Sequence, residues 1–123
     1  MSGVAAIIIT KNEERNIADC LATVGWVDEV IVVDAESSDR TAQIARTVTP
    51  LVYVRAWPGY GPQKNFGIDQ TDAEWILIVD ADERVSPLLE QELKTILARE
   101  SATEIVGYEV PRRNFFSGRW MQG

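Results

Sequence analysis

The stretch "WILIVDADERVSP", Trp75 to Pro87, runs five apolar residues into two aspartates separated by one alanine, and then into a Ser-Pro pair. An apolar run this short, bounded by turn residues, predicts a buried strand over Trp75–Val79. Ser86 as N-cap with Pro87 in the first helical position predicts a helix through about Arg99. Leu88, Leu89, Leu93, Ile96 and Leu97 are expected to turn inward, and Glu90 falls one position too late for a capping box. Strand, acidic turn and helix in succession form the repeating unit of a parallel α/β sheet.

The same alternation recurs on both sides. Val4 to Thr10 is a first strand, and Ile17, Cys20, Leu21 and Val24 recur at helical spacing from about Asn16. Glu29 to Asp34 is a second strand. "SSDRTAQIARTV" follows it as a helix capped by Ser38 or Asp39, with Ile44, Ala45 and Val48 on one face. Val52 to Arg55 is a short third strand, "WPGYGP" is a loop by its Pro and Gly content, and Gln63 to Asp69 is a short helix. Ile105 to Pro111 has the composition of a fifth strand. Strands apolar on both faces and alternating with helices imply a mostly parallel, Rossmann-like sheet covered on both sides. Ligands of such sheets bind beyond the carboxyl ends of the strands, where the strand order switches. If the order is 3-2-1-4, "TKNEE", "DAESSD" and "DADE" gather along one edge, and a site is expected there.

Composition narrows the chemistry. The 123 residues are 46% hydrophobic and 25% charged, as in one globular domain with its own core. A net charge of -7 argues against a general nucleic-acid backbone binder. An anionic ligand would need local basic residues, backbone amides or a metal ion. The absence of histidine excludes Ser-His-Asp or Cys-His catalysis and His-ligated zinc within these residues. Cys20 is the only cysteine, which rules out an intrachain disulfide and suits a reducing compartment. No basic segment followed by a long apolar run opens the chain, and its apolar runs fall far short of the roughly 20 residues of a membrane helix. The expected location is cytoplasmic, with peripheral membrane contact left open.

Asp80 and Asp82 repel each other unless a cation or proton intervenes. Carboxylate oxygens suit Mg²⁺ or Mn²⁺, which typically bind one or two carboxylates together with phosphate oxygens. The bland alternative is a helix-entry turn, where Asp is common. Asp34 ends the second strand, either solvated or accepting from a base or ribose. Lys64, with Asn65 after a Gly-Pro loop, suits a phosphate or is simply exposed. Glu13 and Glu14 favour the first turn of a helix by their charge. "GYGPQKNFG" is unlike a dinucleotide-binding glycine loop, because it follows the third strand and Lys64 stands where the third glycine should be. Trp57 and Tyr60 are read chiefly as packing residues, the alternative being a stacking surface for a sugar.

Together "IIITKNEERNIADCL", "VIVVDAESSDRT", "VRAWPGYGPQKNFG" and "WILIVDADERVSP" resemble family 2 glycosyltransferases, in four ordered blocks covering nearly the whole chain. The "WPGYGxQKNF" loop is most similar to the lipopolysaccharide core β-1,4-glucosyltransferase branch. The resemblance implies the GT-A fold over residues 1–123, inversion at the anomeric carbon, and a UDP-sugar donor, with glucose the expected sugar. It also implies a glycan or glycolipid acceptor such as the lipopolysaccharide core, reached at the inner face of the membrane. By the same resemblance Thr10, Asn12 and Glu13 line the nucleotide pocket and Asp34 meets the uracil or ribose. Lys64 and Asn65 lie near the diphosphate, Asp80 lies toward the ribose, and Asp82 lies toward the metal.

Two departures stand out. Ala35 and Glu36 replace the second aspartate and the glycine of the family's D-D-G-S, which leaves the choice of base open. The family's catalytic base belongs to a downstream acidic motif, so the chain is expected to be truncated, to transfer little sugar by itself and to expose surface that favours a homodimer. The competing readings are a non-catalytic nucleotide-sugar or metal-binding module and a D-x-D-x-T phosphohydrolase, although Arg84 stands where the latter needs Thr.

Overall fold

The computed structural model describes residues 3–102 and 113–116. The chain alternates β1 (Val4–Thr10), α1 (Ile17–Ala22), β2 (Glu29–Asp34), α2 (Thr41–Ala45), β3 (Val52–Val54), α3 (Tyr60–Asp69), β4 (Trp75–Asp80), α4 (Pro87–Ala102) and β5 (Arg113–Phe116). Every strand pair is parallel, in the order β3-β2-β1-β4-β5. The order switches between β1, β2 and β4. The register sets Thr10 against Asp34 and Ile9 against Asp80, so three strands end level along one edge.

Both faces of the central strands are buried, which is why they read as continuous apolar runs. Val4, Ala6 and Ile8 turn toward one core with Val32, Leu77 and Val79, closed by side chains of α1, α2 and α4. Ala5, Ile7 and Ile9 turn toward the other with Ile31, Val33, Ile76 and Ile78, where Phe66 and Ile68 of α3 pack. Each such Val or Ile side chain contributes roughly 1.5–3 kcal/mol when fully buried.

Several boundaries differ from expectation. Helix α3 begins at Tyr60 rather than Gln63, because Pro62 sits in the first turn, where its missing N–H costs no hydrogen bond. Leu88 is 68% exposed, while Leu89, Leu93 and Leu97 form the inner stripe of α4. Val48 lies beyond the end of α2 and is 51% exposed. Ser86 does cap α4, its Oγ accepting from Leu89 N at 3.1 Å. The expected strand over Ile105–Pro111 lies outside the described residues, and the fifth strand is Arg113–Phe116.

The loops above the sheet edge are stitched together. Asn12 adopts a φ of 52° and donates its backbone N–H to Ser37 Oγ at 2.7 Å, while its Oδ1 accepts from Ser38 N at 2.8 Å. Glu13 N donates to Thr41 Oγ1 at 2.9 Å, and Glu14 N donates to Asp39 Oδ2 at 3.2 Å. Asp39 Oδ1 also accepts from Thr41 N at 3.0 Å and from the Thr41 hydroxyl. These bonds hold the Asp39 carboxyl below its usual range, the Thr41 hydroxyl foremost.

Two predictions follow from these contacts. A Cβ added to Gly67 would lie 2.5 Å from Ile7 Cγ2 and 3.2 Å from Val33 Cγ2, so α3 sits this close to the sheet only without a side chain there. Gly67→Ala is therefore expected to destabilise the fold by about 1–3 kcal/mol in urea unfolding, despite alanine's better helix propensity. The Asp39 pKa is lowered on folding, so its contribution to stability is complete above the unfolded carboxylate pKa and lost as pH falls through the lowered value. Asp39→Asn should flatten the loss of stability below about pH 4, read from urea midpoints between pH 7 and 3.

Candidate active site

At the carboxyl edge of β1 and β4 the chain forms a cleft of about 280 Å³. Thr10, Lys11 and Glu13 line it from the end of β1, and Asp80, Ala81 and Asp82 line it from the end of β4. Trp57, from the connection between β3 and α3, and Tyr60, the first residue of α3, also line it. The cleft lies where the strand order switches, as the alternation of elements predicts.

The acidic wall is a cluster of three carboxylates. Asp80, Asp82 and Glu83 each offer an oxygen, and these oxygens lie within 4.8 Å of one another. Asp82 is exposed, Asp80 half-buried and Glu83 buried. Glu83 was not among the residues picked from sequence, although it closes the same "DADE" and brings a third negative charge to the turn. Its carboxylate accepts from Asp80 N at 3.0 Å, and its own N–H donates to Asp80 O at 2.9 Å. This reciprocal pair folds the turn so that all three carboxylates converge. An all-oxygen donor set with two or more carboxylates fits a hard divalent cation such as Mg²⁺ or Mn²⁺.

Helix α1 and the turn that follows it hold this acidic loop from below. The Arg84 guanidinium donates to Glu83 O at 3.1 Å, to Ala81 O at 3.5 Å and to Asn16 Oδ1 at 3.1 Å, and it lies 3.9 Å from Asp19. Val85 N donates to Thr23 Oγ1 at 3.0 Å. The Cys20 thiol donates to Asp80 O at 3.6 Å. Burial pushes that thiol up to about 12 against the pull of Arg84, so it stays protonated at neutral pH as an inert donor.

The remaining expected residues are distributed unevenly. Thr10 and Glu13 line the cleft, and the Thr10 hydroxyl is buried without a hydrogen-bond partner among the described residues. Asn12 is a loop tie, as described above. Asp34 is buried at the end of β2, outside the cleft lining, with Oδ1 accepting from Ser37 Oγ at 2.5 Å and Oδ2 from Ser37 N at 2.9 Å. It shapes the second loop, and its carboxylate keeps further lone pairs for a ligand. Lys64 and Asn65 lie on α3, half-buried and exposed respectively, and not in the cleft lining. Lys64 is one helical turn beyond Tyr60 and so shares its face of α3. Gln63 beside it is fully buried, with neither amide atom bonded to any of the described residues.

The reading of Trp57 and Tyr60 as packing residues is corrected: they are 46% and 41% exposed and face the cleft. Partial burial, then the charges of Asp80 and Glu83, hold the Tyr60 phenol above the ordinary range. No helix among the described residues is long and apolar enough to cross a membrane.

Comparison with known proteins agrees with this geometry. The model of Glycosyl transferase family 2 matches residues 5–123. An uncharacterized glycosyltransferase of Rickettsia typhi is 40% identical over 111 residues, covering 89% of this chain and 38% of that protein. The lipopolysaccharide core biosynthesis glycosyltransferase LpsC of Rhizobium meliloti is 33% identical over 120 residues, covering 94% of this chain and 44% of LpsC. The crystal structure of S. aureus TarS 1-349 superposes with a TM-score of 0.64 at 25% identity, over 80% of this chain and 33% of that one. The chain thus spans about two-fifths of the length of these two sequence relatives. The parallel sheet, the acidic turn closing β4 and the family match agree: the chain has the GT-A fold and belongs to glycosyl transferase family 2.

Proposed function

We propose that these residues form the donor side of an inverting glycosyltransferase that takes a sugar, glucose in the first instance, from a UDP-sugar. The observation that carries the reading is the convergence of Asp80, Asp82 and Glu83 on one point beside the cleft, at the switch in strand order. Asp82, exposed and foremost, and Asp80 are the residues that would hold Mg²⁺ or Mn²⁺, with Glu83 behind them. When bound, the cation supplies Lewis-acid stabilisation of the charge on the departing nucleoside diphosphate.

The chain's own residues bind and orient. Thr10 and Glu13, which line the cleft, would offer hydrogen-bonding groups to the nucleotide. Asp34 holds the second loop in the shape that receives the base or ribose. Lys64 and Asn65 approach the diphosphate from α3 as basic and polar neighbours. The general base that deprotonates the acceptor belongs, on this reading, to the part of the relatives that these residues do not span. Likeness to LpsC supports a glycan acceptor of the lipopolysaccharide core. A phosphohydrolase is disfavoured, because its nucleophilic Asp closes a first strand whereas "DADE" closes β4, and Arg84 is engaged with backbone carbonyls.

The test is calorimetry with UDP-glucose in the presence and absence of Mn²⁺. Binding is expected to depend on the metal, and Asp82→Ala is expected to weaken it by about tenfold or more, a loss of at least 1.4 kcal/mol. Metal-dependent binding that survives Asp82→Ala unchanged would overturn the metal assignment. Release of phosphate from simple phosphomonoesters would point to the hydrolase instead.

A further inference from the structure

Six aromatic side chains have their exposure described, and four of them, Trp26, Tyr53, Phe66 and Trp75, are at least partly packed away. Trp57 and Tyr60 are the two left exposed, and both face the one cleft that carries the acidic cluster. Exposed apolar area concentrated at a polar cleft marks a binding surface rather than a failure of packing.

The segment that presents these rings is held at both ends. Arg55 N donates to Asp34 O at 2.9 Å, and the Arg55 guanidinium stacks on Phe66 at 4.2 Å from the ring centroid. Gly59, at a φ of 127°, turns the chain into α3, where Gln63 N donates to Gly59 O at 3.2 Å. Pro58 lies between the two aromatics and limits the backbone further. Trp57 therefore stands on a short, braced connection and Tyr60 at the first position of α3, both lining the cleft that Asp80 and Asp82 line.

Resting on the donor-site reading above, we propose that Trp57 and Tyr60 form the platform on which the transferred sugar ring of the donor lies. A pyranose has one face of C–H bonds edged by hydroxyls. An aromatic ring with a polar tip matches both parts: the face contacts the C–H bonds, and the indole N–H or phenol O–H meets the hydroxyls. The sugar is joined directly to the diphosphate that the acidic cluster would hold through its cation. It therefore reaches the cleft that Asp80 and Tyr60 both line. The base is separated from that phosphate by the rest of the nucleotide.

The experiment compares the Kd of UDP-glucose with that of UDP, each with Mn²⁺, for the whole chain and for Trp57→Ala, Tyr60→Ala and Tyr60→Phe. Both alanine variants should weaken UDP-glucose about tenfold while leaving UDP within about twofold, and Tyr60→Phe, which keeps the ring, should lose less than Tyr60→Ala. Both side chains are largely exposed, so the variants are expected to fold, and unchanged urea midpoints would establish that they do. Equal weakening of UDP and UDP-glucose would overturn the proposal in favour of base stacking. No effect on either ligand would overturn it outright. If the unaltered chain binds neither ligand, the donor-site reading itself fails and takes this proposal with it.

Discussion

Like charge gathered at the end of β4 is the constraint on which the rest of this chain depends. At an effective dielectric of about 20, two unit charges as far apart as the 4.8 Å limit of this cluster repel by about 3 kcal/mol. A turn left to itself would relieve that by splaying its carboxylates into water. Here it cannot splay readily, because Glu83 and Asp80 bond each other reciprocally and Arg84, Val85 and the Asp80 carbonyl are tied to Asn16, Thr23 and Cys20. Packing of α1 against the sheet therefore fixes a local electrostatic strain. Such strain is a stability cost in the isolated chain and an asset once a divalent cation arrives.

The sheet makes this arrangement feasible. Strands buried on both faces leave little freedom to slip, since a shift of one residue would turn every core side chain to the other face. Ile9 therefore stays opposite Asp80 and Thr10 opposite Asp34, and three acidic loops emerge side by side. The loops after β1 and β2 then stabilise each other through Asn12, Glu13, Glu14, Ser37, Ser38, Asp39 and Thr41. Polar residues that looked like candidate ligand contacts are partly the mortar of the site.

The fold was legible from sequence because its signals are local and repeated. Runs such as "IIIT", "VIVVD" and "WILIVD" between helical stripes leave few alternatives to a parallel sheet, and the carboxyl-edge rule then located the site. Single-residue roles were harder. Asp34 reads the same in sequence whether or not its oxygens also accept from Ser37, as they do here. Glu83 carries no periodic signal as a third acid in a turn; only the folded turn brings it to the other two. Pro62 reads in sequence as loop punctuation, whereas the first turn of α3 tolerates it.

Trp57 and Tyr60 show the deeper reason for such misses. From composition, an aromatic residue in a chain this size belongs in the core, since burying its surface stabilises the fold more than almost any other side chain. That prior holds only when the backbone can carry the ring inward. Between Arg55, tied to the end of β2 and stacked on Phe66, and Gly59, which opens α3, the chain crosses the carboxyl edge of the sheet instead of its faces. Trp57 on that crossing and Tyr60 at the first position of α3 line the cleft instead of joining either core. The topology that gathers the carboxylates thus also leaves these aromatics exposed, and one cleft lined by both is an arrangement that no single stretch of the sequence could show.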